Sequence, residues 1–572
     1  MIPMPGPVAR RSLLRALLLL SLAPLALRPA CAASAGPVAA PARAAIASAH
    51  PLATAAGLEV LAKGGNAFDA AVAVSAALGV VEPSGSGLSG GGLFLLHTAK
   101  DGRNVVIDAR EVAPKAATRD MYLDKEGNPI RGASTSTALA AGVSGEPAGL
   151  ALLQSKYGRL PLKASFAPAI RLAKEGFAMY PRLNAGLNFK KAQIAKVSDG
   201  ARVFLDAKGD AIAVGRTLKQ PQLARTLQTL ADEGLQSFYT GRLAQQIVDG
   251  VRSIGGIWTL EDLAAYQVVE REPIVGHYRD VTLISAPPPS SGGIALVEAL
   301  NVLEGYDLDQ LDVTTRRHVI AEAMRRAARD RAVYLGDTAF TDVPVALLTD
   351  KAYAAGLRTS IRLDKATPSA MLADAPESHS GPNTTHFSIV DGEGNRVAGT
   401  ITLNAGFGTG LVIPGTGLLL NNQMDDFSIK PGVPNIYGLI GAAANAIAPG
   451  KRMLSSVTPT FVEGPRGFMV VGSPGGSVIT GAVLLATLNW IEGRSAQEIV
   501  AAPRIHHQYQ PDLLMYEDAA LDAAGVEALQ KLGHQLRKRE TWGNLQVVTY
   551  DAATGRVSAA SDPRGVGTAG LY

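Results

Sequence analysis

Apolar residues at helical spacing open the readable part of the chain. Leu52, Ala55, Leu58 and Leu61 share one face, Gly64-Gly65 stops that helix, and Asn66 is placed to cap a second one running to Val80. The period then changes. Strands are expected at 93–97 and 104–108, followed by a mostly helical stretch from 147 to 335 with runs at 221–233, 294–303 and 314–335. The segment Pro287-Pro288-Pro289-Ser290-Ser291-Gly292-Gly293 breaks that stretch. Residues 373–383 (ADAPESHSGPN) carry Pro, Gly, Ser and charge without an apolar period, which predicts an exposed loop. Directly after it, 385–390, the turn Asp391-Gly392-Glu393-Gly394-Asn395 and 396–403 read as a hairpin. Further strands are predicted at 417–420, 460–462, 467–471, 514–516, 546–550 and 557–560, with helices near 477–491 and 519–532. No internal repeat is visible.

Composition narrows the class. At 572 residues the chain needs two domains or one large α/β body, and 47% hydrophobic against 18% charged residues with 61 glycines describes a turn-rich globular protein. Its first 32 residues read as an export signal: Arg10 and Arg11, an apolar run from Leu13 to Leu27, then Ala30-Cys31-Ala32. A bilayer span needs roughly 20 apolar residues, so the run is short for a retained transmembrane helix. Arg10-Arg11 also resembles a twin-arginine signal. Removing the leader takes four arginines and no acid from 54 basic and 50 acidic residues, so the mature chain is formally neutral. No basic stripe points to nucleic acid. The only cysteine leaves too, and with it any disulfide, thiolate nucleophile or cysteine-ligated zinc. The expected location is the periplasm or the exterior.

Two motifs mislead. Gly85-Ser86-Gly87-Leu88-Ser89-Gly90 fits a dinucleotide fingerprint and Gly87-Leu88-Ser89-Gly90-Gly91 fits a nucleophile elbow, which would make Ser89 the nucleophile of a serine hydrolase. Both need a strand before and a helix after, and here the order is reversed. The nine histidines are scattered singly apart from His506-His507, and no metal-ligand spacing is present, so neither a metal nor another cofactor is expected.

The decisive runs are Asn383-Thr384-Thr385-His386-Phe387-Ser388-Ile389-Val390-Asp391, Thr400-Ile401-Thr402-Leu403-Asn404 and Asn421-Asn422-Gln423-Met424-Asp425-Asp426-Phe427. With Lys63-Gly64-Gly65-Asn66-Ala67-Phe68-Asp69, Arg110-Glu111-Val112-Ala113-Pro114, Leu454-Ser455-Ser456-Val457-Thr458-Pro459-Thr460 and Gly472-Ser473-Pro474-Gly475-Gly476, they closely resemble the γ-glutamyltranspeptidase family along nearly the whole mature chain. The resemblance implies an N-terminal nucleophile hydrolase: an α/β, four-layer αββα sandwich built from two chains after self-cleavage. A large subunit, 33–383, and a small catalytic subunit, 384–572, would form a heterodimer.

The implied chemistry suits the residues. A threonine hydroxyl needs a base beside it. Breaking the Asn383–Thr384 bond gives Thr384 an α-amino group of pKa about 7.7–8, roughly 10–15% neutral at pH 7. Strand periodicity puts Thr400, Thr402 and Asn404 on one face, which can meet Thr384; Thr400 is given no role. By resemblance, Thr402 hydrogen-bonds the nucleophile and Asn404 contacts the α-amino-acid end of the donor. Arg110 would clamp the donor's α-carboxylate with Ser455 and Ser456 beside it, Gln423 and Asp426 would hold its ammonium, and backbone N–H groups at Gly475 and Gly476 would bind the oxyanion. Tyr437, in a lid loop spanning 428–445, would shield the pocket. Ser89 and Ser144 depart from the family pattern. Implied substrates are glutathione and other γ-glutamyl amides, with water, amino acids or peptides as acceptors. The alternatives are a cephalosporin or glutaryl acylase of the same fold, the Ser89 hydrolase, and a non-catalytic exported binding protein. Asp426 argues against the first, because a glutaryl group has no ammonium to pair with it.

Overall fold

The computed structural model describes residues 41–372 and 384–572. The predicted leader 1–32 and the loop 373–383 with Asn383 lie outside the described residues. Two antiparallel sheets form the centre. The first has seven strands in the order Thr568–Leu571, Ala45–Ser48, Thr385–Val390, Arg396–Thr402, Gly91–Thr98, Arg103–Ala109, Val269–Arg271. The second has six: Arg556–Ser561, Gln546–Asp551, Gly467–Gly472, Thr460–Gly464, Val281–Ser285, Ile274–Tyr278.

Alternation of side chains along each strand sorts the core into layers. Leu93 and Leu95 join Phe461, Phe468, Val470 and Val548 in the cluster between the sheets. Phe94 and Leu96, one residue out of phase, pack instead with the helices Pro51–Ala62 and Ala67–Val81. On the other side Val462, Met469 and Val471 turn outward to the helices Gly292–Leu303, Val313–Tyr334 and Ile479–Ile491. Helix, sheet, sheet, helix is thus the layer order, the four-layer sandwich expected from the resemblance. Strands buried on both faces read as unbroken apolar runs, each large side chain contributing about 1.5–3 kcal/mol on burial.

At the first helix pair the elements form as expected, but the first helix turns Ala53, Ala56, Val60 and Leu61 inward and leaves Ala55 exposed, with Leu52 and Leu58 half-buried. Asn66 accepts from the N–H groups of Phe68 and Asp69, both at 3.0 Å, while Asp69 reaches back to the Asn66 N–H at 2.9 Å, a complete capping box. Elsewhere the expectations need correction. The stretch 147–335 is not helical throughout: it supplies Val269–Arg271, Ile274–Tyr278 and Val281–Ser285 to the two sheets. Gly276 and His277 obscure the alternation in the second of these, although its burial alternates strictly. Residues 417–420 form no strand, only a single bridge from Leu419 to Val412, because Gly408, Gly410, Gly415 and Gly417 all take positive φ and coil the segment. The last helix begins only at Ala523, where Asp522 caps it through the Gly525 N–H at 2.8 Å.

The glycine-rich run after the helix Ala67–Val81 has a packing role. A Cβ on Gly90 would sit 2.1 Å from the Thr402 carbonyl oxygen, so only glycine lets this turn lie flat against the strand that carries Thr402. Among the described residues no helix is long and apolar enough to cross a membrane.

Candidate active site

Thr384 enters the strand Thr385–Val390, whose neighbour is Arg396–Thr402. Their pairing brings Thr384 Oγ1 within 3.2 Å of Thr402 Oγ1, with both residues buried. Thr402 Oγ1 also accepts the Asn404 N–H at 2.8 Å, so one lone pair is occupied and its hydrogen and second lone pair remain to serve Thr384. Asn404 holds φ 76°, a left-handed conformation that asparagine tolerates better than most residues, and its Nδ2 donates to the Asn422 carbonyl at 2.9 Å. Thr400, on the same face, bonds the His386 ring at 2.8 Å.

From Asn422 the chain turns into Gln423–Asp426, one short helical turn. Here the charged groups converge. Arg110, 1% exposed at the end of the strand Arg103–Ala109, forms an ion pair with Asp426, and its Nε donates to the Met453 carbonyl at 3.3 Å. Gln423 Nε2 donates to the same Asp426 oxygen at 2.8 Å. Gln423 Oε1 is buried without a hydrogen-bond donor. An α-amino-acid end carries a carboxylate and an ammonium on one carbon. The geometry places a cation, an anion and a waiting acceptor at one spot, with the valences such a zwitterion needs. Glu111 lies 3.7 Å from Arg110, but burial pushes its carboxyl up to about 8, leaving it largely protonated at neutral pH and Asp426 as the anion that matters.

Ser455 is fixed by the proline-rich break. Its N–H donates to the Pro289 carbonyl at 2.7 Å and its carbonyl accepts Ser291 Oγ at 2.9 Å, so residues read as an interruption between helices buttress the candidate site. Ser456 lies next to it, half-buried, with its carbonyl accepting Thr458 Oγ1 at 2.9 Å.

Gly475 and Gly476 have φ of 135° and 59° and precede a short turn that runs into the helix Ile479–Ile491. A Cβ on Gly476 would lie 2.4 Å from the Tyr437 ring. Tyr437 therefore sits directly on the glycine pair, and its hydroxyl donates to the Asn404 carbonyl. The loop is tied down from below as well. Asp425 accepts the Ile436 N–H at 2.9 Å and Ser134 Oγ at 2.7 Å, and Asn435 Nδ2 reaches Asp426 at 3.3 Å. Burial pushes the Asp425 carboxyl up to about 7.

Sequence reasoning missed several contributors. Asp425, Asn422 and Asn435 stood inside or near quoted motifs without a role. Glu82 had no signal at all: it sits in the turn after the helix Ala67–Val81, accepts Thr385 Oγ1 at 2.6 Å, and is pushed up to about 7 by burial. Its proximity to the nucleophile comes from the packing of that helix against the strands Thr385–Val390 and Arg396–Thr402. Ser89, by contrast, donates to the Leu419 carbonyl, and its own carbonyl accepts Ser144 Oγ at 2.6 Å and Asn421 Nδ2 at 2.6 Å. Both departures from the family pattern are structural links in one buried turn, and among the described residues no histidine engages Ser89.

One cluster has the makings of a metal site. Donor atoms of His318, Glu322 and His534 lie within 4.8 Å of one another. Most of their atoms are already occupied: His318 Nδ1 shares a hydrogen bond with His534 Nε2 at 2.8 Å, His318 Nε2 meets the Arg362 carbonyl at 2.8 Å, and Glu322 takes Arg326 at 2.6 Å and the Thr367 N–H at 3.1 Å, while His534 Nδ1 is buried without a partner. His506-His507 is not a surface pair; both are buried, and His507 bonds Asp512 at 3.2 Å.

Comparison with known proteins identifies the family. The family described as Gamma-glutamyltranspeptidase matches residues 53–572. The chain belongs to that family. A glutathione hydrolase proenzyme of Escherichia coli K12 is 43% identical over 528 residues, covering 91% of this chain and 90% of that one. Among solved structures, a cephalosporin acylase from Bacillus halodurans superposes with a TM-score of 0.81 at 29% identity, over 93% of this chain and 96% of its own. The Helicobacter pylori gamma-glutamyltranspeptidase gives 0.55 at 43% identity, over 56% of this chain and 93% of its own. Membership makes the chain a γ-glutamyl-transferring or -hydrolysing enzyme of the N-terminal nucleophile class.

Proposed function

We propose that the chain is exported, cuts itself between Asn383 and Thr384, and uses Thr384 to take the γ-glutamyl group from glutathione and similar amides, passing it to water or to amino acids and short peptides. The observation that carries the donor assignment is the buried Arg110–Asp426 pair beside the undonated Gln423 Oε1. A donor's α-carboxylate would engage Arg110 with Ser455 and Ser456 alongside. Its ammonium would exchange into the contacts of Asp426 and complete Gln423.

Thr384 Oγ1, its proton drawn off by the amino group freed by the cut, attacks the γ-carbonyl carbon. Thr402 holds the hydroxyl in line, and the developing oxyanion meets backbone N–H groups of Gly475 and Gly476, each such donor being worth about 10²–10³ in rate. Collapse breaks the C–N bond as the Thr384 amino group passes that proton to the leaving nitrogen, so the amine departs and a γ-glutamyl ester remains on Thr384. The acylase reading is disfavoured because a glutaryl carboxylate would draw on Arg110, the cation paired with Asp426, and bring no ammonium to Asp426 or Gln423 Oε1 in return.

The test is to sequence the N-termini of the purified protein and assay it with a γ-glutamyl anilide. The expected result is a second chain starting at Thr384 and anilide hydrolysis, with a Thr384→Ala variant that stays uncut and inactive. An uncut protein that hydrolyses the anilide overturns the mechanism.

A further inference from the structure

Thr384 also lies on the wall of a second compartment. This cavity of about 130 Å³ includes Glu82, Arg182, Gly475, Trp542 and Asn544 in its lining, and neither Arg110 nor Asp426. It has room for several water-sized groups, each with a share of about 30 Å³. Its charges are graded. Glu82 is the buried end, held by the hydroxyl of Thr385 next to the nucleophile. Arg182 is exposed, and its Nη1 donates to the Arg564 carbonyl in a long bond of 3.4 Å. Arg564, the other cation of the lining, is consumed by Glu517 at 2.5 Å and Asp562 at 3.1 Å. Arg182 is thus the cation left for a ligand, and its field already reaches Glu82.

We infer that this cavity is the acceptor subsite, where an α-amino acid or short peptide binds as a zwitterion, ammonium toward Glu82 and carboxylate toward Arg182. The inference rests on the γ-glutamyl-transfer reading and supplies residues for its second half. Orientation follows from the charges: the reverse pose would press a carboxylate against Glu82 and hold the amine away from the ester. The incoming ammonium gives one proton to the Glu82 carboxylate. Its nitrogen then attacks the γ-glutamyl carbon, a C–N bond forms, the C–Oγ1 bond breaks, and the second proton lost from nitrogen ends on the Thr384 oxygen. Glu82 returns its proton to solvent. The buried Trp542 forms an apolar wall of the compartment.

The experiment measures acceptor kcat/KM for glycylglycine and glycylglycinamide, with γ-glutamyl p-nitroanilide as donor, in wild type, Arg182→Gln and Arg182→Lys. An exposed ion pair is worth up to about 1 kcal/mol, so the preference for the free carboxylate should fall about three- to fivefold in Arg182→Gln and return in Arg182→Lys. A purely structural role would lower both acceptors alike. An unchanged ratio, or an equal fall for both, overturns the assignment. Nitroaniline release by wild type with such a ratio overturns the subsite alone, whereas no release overturns the γ-glutamyl reading beneath it.

Discussion

The two flanks of Thr384 are finished to different degrees. On the proposed donor flank Arg110 and Asp426 neutralise each other in a buried site that Tyr437, bonded to the Asn404 carbonyl, would roof. On the other flank Glu82 and Arg182 face the same cavity without an ion pair between them, one buried and one in solvent. A ligand entering the first flank must replace protein–protein contacts, so only a group with both charges correctly spaced recovers what it breaks. One entering the second displaces water, which tolerates more variety. The contrast predicts a strict donor and a permissive acceptor.

The sharpest way to break this contrast is Asp426→Asn. It leaves Arg110 buried without its carboxylate and removes the donor's ammonium partner, a disruption of about 3–5 kcal/mol for a buried pair. Steady-state kinetics should show kcat/KM for a γ-glutamyl anilide falling by at least about a hundredfold, and falling less for a glutaryl anilide. Equal losses for the two donors would remove Asp426 from ammonium recognition.

Tyr437→Phe acts more gently. It deletes the hydroxyl bond to the Asn404 carbonyl while keeping the ring over Gly476, and a neutral hydrogen bond contributes about 0.5–1.5 kcal/mol. The donor KM should rise roughly two- to tenfold. No change in donor KM would separate the roof from the donor flank.

The smallest effect is on stability against pH, read as the Tm of an uncut Thr384→Ala protein. Burial holds the carboxyls of Glu82 and Asp425 up at about 7, and those of Glu111 and Glu146 at about 8. Between the ordinary carboxylate range and those values the native state keeps protons that the unfolded chain has lost, so stability falls as pH rises through that window. Burial has the opposite effect on the imidazoles, lowering His386, His506 and His534 to about 3, and His50 and His507 to about 4. The unfolded chain binds those protons below pH 6.5, which destabilises the fold in acid. Above pH 6.5 the imidazole slope fades while the carboxyl slope persists to about pH 8, so Tm should be lower at pH 8.5 than at 6.5. Glu82→Gln should flatten that slope, and a Tm that rises with pH would contradict the buried-carboxyl account.

What was legible in the sequence was local. Period-two alternation placed Thr402 on the face toward Thr384, although Asn404 lies past the strand's end at φ 76°, and Asn66 announced a helix start, because each signal depends on neighbours a few residues away. Arg110 and Asp426 were legible through family likeness as partners of one ligand, but their mutual ion pair was not, since it spans 316 positions. Glu82 was invisible for the same reason. The strands Ile274–Tyr278 and Val281–Ser285 were lost inside an apparently helical region because a five-residue strand containing Gly276 and His277 offers too short a period to compete with the helices around it.

The strand Ala45–Ser48 lies between Thr385–Val390 and Thr568–Leu571, and Thr460–Gly464 lies between Gly467–Gly472 and Val281–Ser285. A cut at 383–384 therefore divides a woven object and not a hinged one. The two pieces would travel as one particle through gel filtration and part only in denaturant, and neither half expressed alone would have a sheet without an unpaired inner edge. Opening the chain beside its nucleophile removes a covalent bond and leaves the weave that positions Thr384 intact.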